Sequence, residues 1–452
     1  MPSPLVRTCP LLAAGWLSRT SVLLNSVTGV TEATAASQPL SVVLDRIRGA
    51  YFGALVADAL SLGSHYEYDA QNIWNAYGGK SIQRYYDPGE GLGGSTHGVG
   101  WGRRNYHPGQ KRGDGTDYGL YTQLALEYFS TYEADDEAST TASSGESKAV
   151  RHPDKLISLW RERVEGPGWG AWKCTQTRQA LQKVASVGDP TKITEQLFRA
   201  LGGPSNAVAL RSAAVFGVYE DEEEAARAST RLMFTHANRE ALEGGEFLTR
   251  AAHRIVYRSD PATPAQDPLP IKALIKLFKG VAADMRSAFL QEQVRKAVTK
   301  FSEVTDPNSA LSKERTANEG RNAHLEDDRA VTSMARLWDV GKSEPIKVGK
   351  ASPTEGVLPS TLYFVLKYWD QALRKGGEES AFSLGARANV MVGGDSASRA
   401  VCVGMLLGAL CGEKCIPRDL QEGLRAWKKS EEMLQKLPVV RKLRAAEKKH
   451  EL

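Results

Sequence analysis

Arg399-Ala400-Val401-Cys402-Val403-Gly404-Met405-Leu406-Leu407-Gly408-Ala409-Leu410 is small and apolar nearly all the way round. A helix with no polar face has no side to show to water, so it belongs inside a fold, and its glycines let a neighbour pack closely. Outward from this stretch, further segments repeat helical spacing. Arg46 to Leu60 places Ile47, Tyr51, Ala54, Leu55 and Asp58 near i, i+4, i+7 positions. Tyr118 to Tyr128 sets Tyr121, Leu124, Ala125 and Tyr128 on one face, and Leu362 to Leu373 follows later. Asp221 to Leu232 starts on acids, as the positive end of a helix dipole prefers. Alternating strand patterns are scarce and no repeat period is visible, so the expected fold class is all-α.

The chain's 452 residues are 41% hydrophobic and 25% charged, enough apolar content for a large core. Fifty-eight Lys and Arg against fifty-three Asp and Glu leave a formal charge of +5, which gives no sign of a nucleic-acid partner. No run of about 18 apolar residues exists, so no membrane span is expected. Five scattered cysteines read as reduced thiols, and Cys411-Gly-Glu-Lys-Cys415 lacks the second pair that zinc needs. Residues 1–38 carry Arg7 and Arg19, many Ser and Thr, and no acid before Glu32, the composition of a mitochondrial or plastid address. The run Cys9 to Leu17 reads equally as a short secretory segment. Lys449-His450-Glu451-Leu452 loosely echoes an ER-retention ending. Residues 133–153, 259–270 and 305–328 are expected as surface insertions, and 428–452 as a charged tail, helical and solvated or disordered.

Four segments carry residues suited to chemistry. Asp58 sits in an apolar helix that breaks at Gly63 and continues through His65, Glu67 and Asp69; a buried acid requires partners or a cation. Gly113-Asp114-Gly115-Thr116-Asp117-Tyr118-Gly119 is either a helix cap or a hard-cation turn. Gly393-Gly394-Asp395-Ser396-Ala397-Ser398-Arg399 pairs glycines with a carboxylate at the mouth of the buried helix, as a closely approached ligand would require. Gly202 to Arg211 with Thr235-His236 adds amide, hydroxyl and guanidinium groups. No nucleophile elbow, Walker loop or dinucleotide fingerprint is present.

In this order the segments resemble the ADP-ribosylglycohydrolase family and its J-crystallin-like branch, in which a His followed by an aromatic stands where His65 and Tyr66 are. The likeness opens at Asp45-Arg46-Ile47-Arg48-Gly49-Ala50, includes Ser205-Asn206 and Glu246-Phe247, and closes at Gly423-Leu424, covering residues 42–427. It implies an orthogonal helix bundle around a central cleft. It further implies Mg²⁺-assisted hydrolysis of a glycosidic bond to ADP-ribose or a related ribosyl group. Carried onto this sequence, it makes Thr116, Asp117, Asp395 and Ser398 metal ligands, and Asp58 and His65 catalytic groups. Gly393, Gly394, Asn206 and Arg399 become substrate contacts. Tyr118 and Ala397 stand where two further aspartates are expected. Two fewer carboxylates leave one Mg²⁺ easier to hold than two. The alternative is a catalytically inactive crystallin-like protein with a structural or ligand-binding role.

Overall fold

The computed structural model describes residues 39–98, 102–133, 150–189, 192, 209–258, 267–317, 322–335, 337–338, 346–375 and 379–451. The expected leader, Asn206, and most of the insertions at 133–153 and 259–270 lie outside them. Of the described residues, 71% are helical. Among the described residues, strand is confined to two antiparallel hairpins, Thr96–Gly98 with Gly102–Arg104 and Leu337–Trp338 with Ile346–Lys347.

Two helices form the centre. Leu40–Ser61 and Ser396–Cys411 pack against each other, and nearly every residue of the second is buried. Their contact runs through glycine: a Cβ on Gly49 would run into the Gly408 carbonyl, and one on Gly53 into that of Gly404, with the reverse true as well. Spacing of four puts each glycine pair on one helix face, so the two backbones touch directly. Thr354–Lys375 and Ala381–Val392 pack around this pair. The first of them begins ahead of the expected Leu362 and takes Pro359 into its early turns.

The C-terminal segment differs from its expectation. Trp427–Leu434 and Pro438–Glu451 are helices that bury Leu434, Val440 and Leu443, with Leu437 buried in the turn between them, and the last helix lies on Leu40–Ser61. Charge alternation hid an apolar residue recurring every three or four positions. Residues 305–328 likewise carry the helix Ala310–Ala317 and the start of Glu326–Ser333, where Asp327 is clamped by Lys367, Tyr363 and Tyr368. Cys411 and Cys415 lie with their sulfurs side by side, because the core helix ends in a tight turn that sets their Cα atoms 5.9 Å apart. No helix among the described residues is long and apolar enough to cross a membrane.

Candidate active site

Asp58 points from the first helix into the early turn, the residues 113–117 that lead into the helix Asp117–Tyr128. Its Oδ2 accepts the Thr116 N–H at 2.7 Å and its Oδ1 accepts the Thr116 hydroxyl at 2.6 Å. Gly115 and Gly119 lie against the same carboxylate, where a side chain on either would collide with it. The glycines of this turn therefore make room for Asp58. Thr116 caps the helix Asp117–Tyr128 by accepting the Tyr118 N–H. Its hydroxyl is thus engaged as donor and acceptor. Asp117 is buried beside it, and its Oδ1 has no hydrogen-bond partner.

The late turn is held by the chain's own backbone. Tyr66 N–H donates to Gly394 O at 2.8 Å, Gly394 N–H to Glu67 O at 2.6 Å, and Asp395 N–H to Lys350 O at 2.7 Å. Gly393 and Gly394 have positive φ, and a Cβ on them would strike the Glu67 and Lys350 carbonyls respectively. The close approach expected for a ligand is made here by these two carbonyls. Arg399 is enclosed and holds the turn from within, donating Nε to Asn389 Oδ1 at 2.9 Å and Nη2 to Gly393 O at 2.5 Å. Ser398 donates its hydroxyl to Asp395 O at 2.8 Å, and its N–H is capped by Asp395 Oδ1. The turns meet where Tyr118 Oη donates to Asp395 Oδ2 at 2.8 Å, across 277 residues of sequence. A phenol thus reaches the late carboxylate from the position where a second aspartate was expected.

The rings of His65 and His107 lie beside this junction, tilted to each other with centroids 5.2 Å apart, and Tyr66 packs on His65 at 3.9 Å. One atom each from His65, His107 and Asp117 lie within 4.8 Å of one another, a set able to hold a metal ion. His107 escaped the sequence reading. Its only local signal is a His-Pro-Gly turn after the aromatic Tyr106. Alongside Asp117 runs a second chain of contacts. Arg211 stacks on Tyr121 at 3.9 Å and donates to Thr235 Oγ1 at 2.6 Å; Thr235 Oγ1 bonds His236 Nδ1 at 2.7 Å, and His236 Nε2 lies 3.3 Å from Cys174 Sγ. An apolar cavity of about 210 Å³ near Val304, Leu311 and Ala330 contains none of these groups.

A model of the ADP-ribosylglycohydrolase family matches residues 39–449. The chain belongs to the ADP-ribosylglycohydrolase family. That match takes in the C-terminal helices, beyond the boundary at 427 drawn from sequence. No curated protein matches the chain. A solved structure titled "ADP-ribosylglycohydrolase-related protein complex" is similar at TM-score 0.51 and 19% identity, over 89% of this chain and 99% of that one, a likeness of fold.

Within this ADP-ribosylglycohydrolase fold, burial dominates the electrostatics. It pushes Asp58 up to about 7 and Asp395 up to about 6, and raises Asp117 well above the carboxylate range, helped there by repulsion from Asp395 and Asp58. Burial also lowers His65 well below its ordinary value and His107 to about 3, so both rings are neutral. His65 Nδ1 lies 3.9 Å from Asp395 Oδ1, but a neutral ring at that distance makes no ion pair. Carboxyl groups titrating near neutrality in one buried cluster are the kind of group that can give and take protons.

Proposed function

We propose that the chain hydrolyses a glycosidic bond to ADP-ribose or a related ribosyl group at the junction where the early and late turns meet. The observation carrying this reading is the Tyr118–Asp395 hydrogen bond, which brings both turns, Asp58 and His65 to one place. Cleavage of such a bond requires a proton for the leaving group and a base for water attacking the anomeric carbon. Asp117, with a free oxygen, and Asp395, shifted to about 6, are the groups suited to exchange those protons. Asp58 serves by position, since both of its oxygens hold Thr116.

Mg²⁺ assistance, which the family resemblance implies, finds a poor fit in the residues present. Mg²⁺ prefers octahedral oxygen ligands supplied by carboxylates and water. Asp58, Thr116, Asp395 and Ser398 spend their oxygens on internal hydrogen bonds, and Asp117 Oδ1 alone of this set is a buried oxygen without one. The neighbours of Asp117 are imidazole nitrogens. No step is therefore routed through Mg²⁺.

The test is release of ADP-ribose from ADP-ribosylated peptides, with EDTA and Mg²⁺ arms. Wild type should turn over in both, and Asp117→Asn should lose about 100-fold or more. Absence of release from every acceptor tried would end the hydrolase reading. The same internal satisfaction of oxygens favours a second reading, a crystallin-like binding protein. Its signature would be ADP-ribose binding by calorimetry without turnover.

A further inference from the structure

Among the site atoms buried without a hydrogen-bond partner, beside Ser396 Oγ and Arg399 Nη1 in the late turn, are His65 Nε2, His107 Nε2 and Asp117 Oδ1. Native proteins leave few such atoms, so three on neighbouring side chains mark a place for something to bind. The protein itself fixes which ring nitrogens carry protons. Ala397 N–H donates to His65 Nδ1 and Trp172 N–H donates to His107 Nδ1, each at 3.3 Å. A backbone N–H is always a donor, so each Nδ1 presents its lone pair and each Nε2 carries the hydrogen. Histidines that bind metals show the opposite arrangement: the far nitrogen donates to an oxygen and the near one offers its lone pair. A metal on either Nε2 would force that ring to give up its backbone hydrogen bond. The cluster has the composition of a metal site and the protonation pattern of something else.

We infer that His65, His107 and Asp117 form a cation-free subsite for one hydroxyl oxygen of a ribosyl group, which accepts from both imidazole N–H groups and donates to Asp117 Oδ1. The geometry agrees. One atom from each residue lies no more than 4.8 Å from the other two, so a single oxygen can reach all three at about 2.8 Å, a normal hydrogen-bond length. A hydroxyl has two lone pairs and one hydrogen, matching two donors and one acceptor with nothing left over. This inference deepens the proposed function and rests on it only in taking the ligand to be a ribosyl group; it does not require turnover.

The test is calorimetric titration of the full chain with ADP-ribose in EDTA, beside thermal melts with Zn²⁺ or Mg²⁺ alone. His107→Asn keeps an acceptor near the Nδ1 position for Trp172 N–H and removes the Nε2 donor. His107→Gln restores a donor near Nε2. Binding should persist in EDTA, weaken about tenfold in His107→Asn with its melting temperature little changed, and return to within about threefold of wild type in His107→Gln. Loss of binding in EDTA would overturn the inference. So would a Zn²⁺-induced rise in melting temperature that His107→Asn abolishes, since that requires a lone pair on Nε2. Failure of ADP-ribose to bind under any condition would leave only a buried water at this point, and the inference falls. ADP-ribose binding with this His107 dependence and no hydrolysis would sink the hydrolase reading and leave the subsite standing.

Discussion

One pair of helices, Leu40–Ser61 and Ser396–Cys411, carries two regions that treat close approach in opposite ways. Along the seam, Gly49 and Gly53 meet Gly408 and Gly404, and backbone touches backbone with no room for a side chain. Toward one end of it, Asp58 and Asp395 enter a junction of carboxyls, a phenol and imidazoles in which polar atoms of His65, His107 and Asp117 are unpartnered. The seam is closed and apolar; the site is polar and incomplete. The lesson is one of division of labour. Contact between backbones fixes the spacing of the two helices without depending on any rotamer, and that spacing sets how far Asp58 stands from the late turn.

The comparison breaks hardest at the seam. Gly408→Val adds three carbons where even one would overlap the Gly49 carbonyl, and the helices have no rotamer change that relieves it. We expect a loss of about 5 kcal/mol in urea unfolding, or failure to fold, since overpacking at this level belongs to the extreme class of mutations. A stable, active Gly408→Val protein would show that the seam does not set the site.

The next effect separates the regions by pH. Asp58 and Asp395 have folded-state values near 7 and 6, above their ordinary 3.8. Between pH 4 and 6 the native state therefore holds more protons than the unfolded chain. Raised carboxyls contribute stability that is full below about pH 4 and lost as pH climbs through their folded values. Each group should lower unfolding free energy by up to about 1.4 kcal/mol per pH unit across that window. Denaturation at pH 4.5, 6 and 7.5 measures it, and Asp395→Asn should flatten the slope between 4.5 and 6. An unchanged slope would mean that Asp395 is not held protonated by burial.

How much of this was legible in the sequence follows from the range of the interactions. The core helix was readable because a stretch apolar all round requires burial whatever surrounds it. Asp117–Tyr128 and Glu222–Leu232 were readable through their caps and first-turn acids, which act within three residues. What the glycines of both turns are for was not readable. Gly119 answers to Asp58, and Gly393 and Gly394 answer to Glu67 and Lys350, partners that only the folded chain brings near. His107 was missed for the same reason, having no neighbour in sequence to mark it. The tyrosine at 118 was read as the loss of a carboxylate; the structure shows what its hydroxyl does instead.

That hydroxyl gives a smaller and sharper test. Tyr118→Phe removes the donor to Asp395 Oδ2 and leaves a buried carboxyl oxygen short of a partner. A loss of about 1.5 kcal/mol is expected, confined to the site, with the seam intact by native-state hydrogen exchange. Tyr118→Asp combined with Ala397→Asp supplies the two carboxylates that the resemblance calls for. This double variant should gain a rise in melting temperature with millimolar Mg²⁺ that wild type lacks. A wild-type protein that already responds to Mg²⁺ would show that its oxygens are freer than their hydrogen bonds imply.

The smallest expected effect asks whether the seam glycines are special or whether any helical glycine in this protein resists a side chain. Gly280 lies inside the helix Ile271–Asp284, and a Cβ there would meet nothing within 4 Å. Gly280→Ala removes backbone freedom from the unfolded chain and adds no clash, so it should stabilise by about 0.5 to 1 kcal/mol. Gly53→Ala is the matched change at the seam, where the new methyl enters the Gly404 carbonyl, and its sign should be reversed. Paired melts of the two variants read the difference directly. If Gly53→Ala were as well tolerated as Gly280→Ala, the seam would be loose enough to take a methyl group. The distance from Asp58 to the late turn would then have to be set by the turn's own hydrogen bonds.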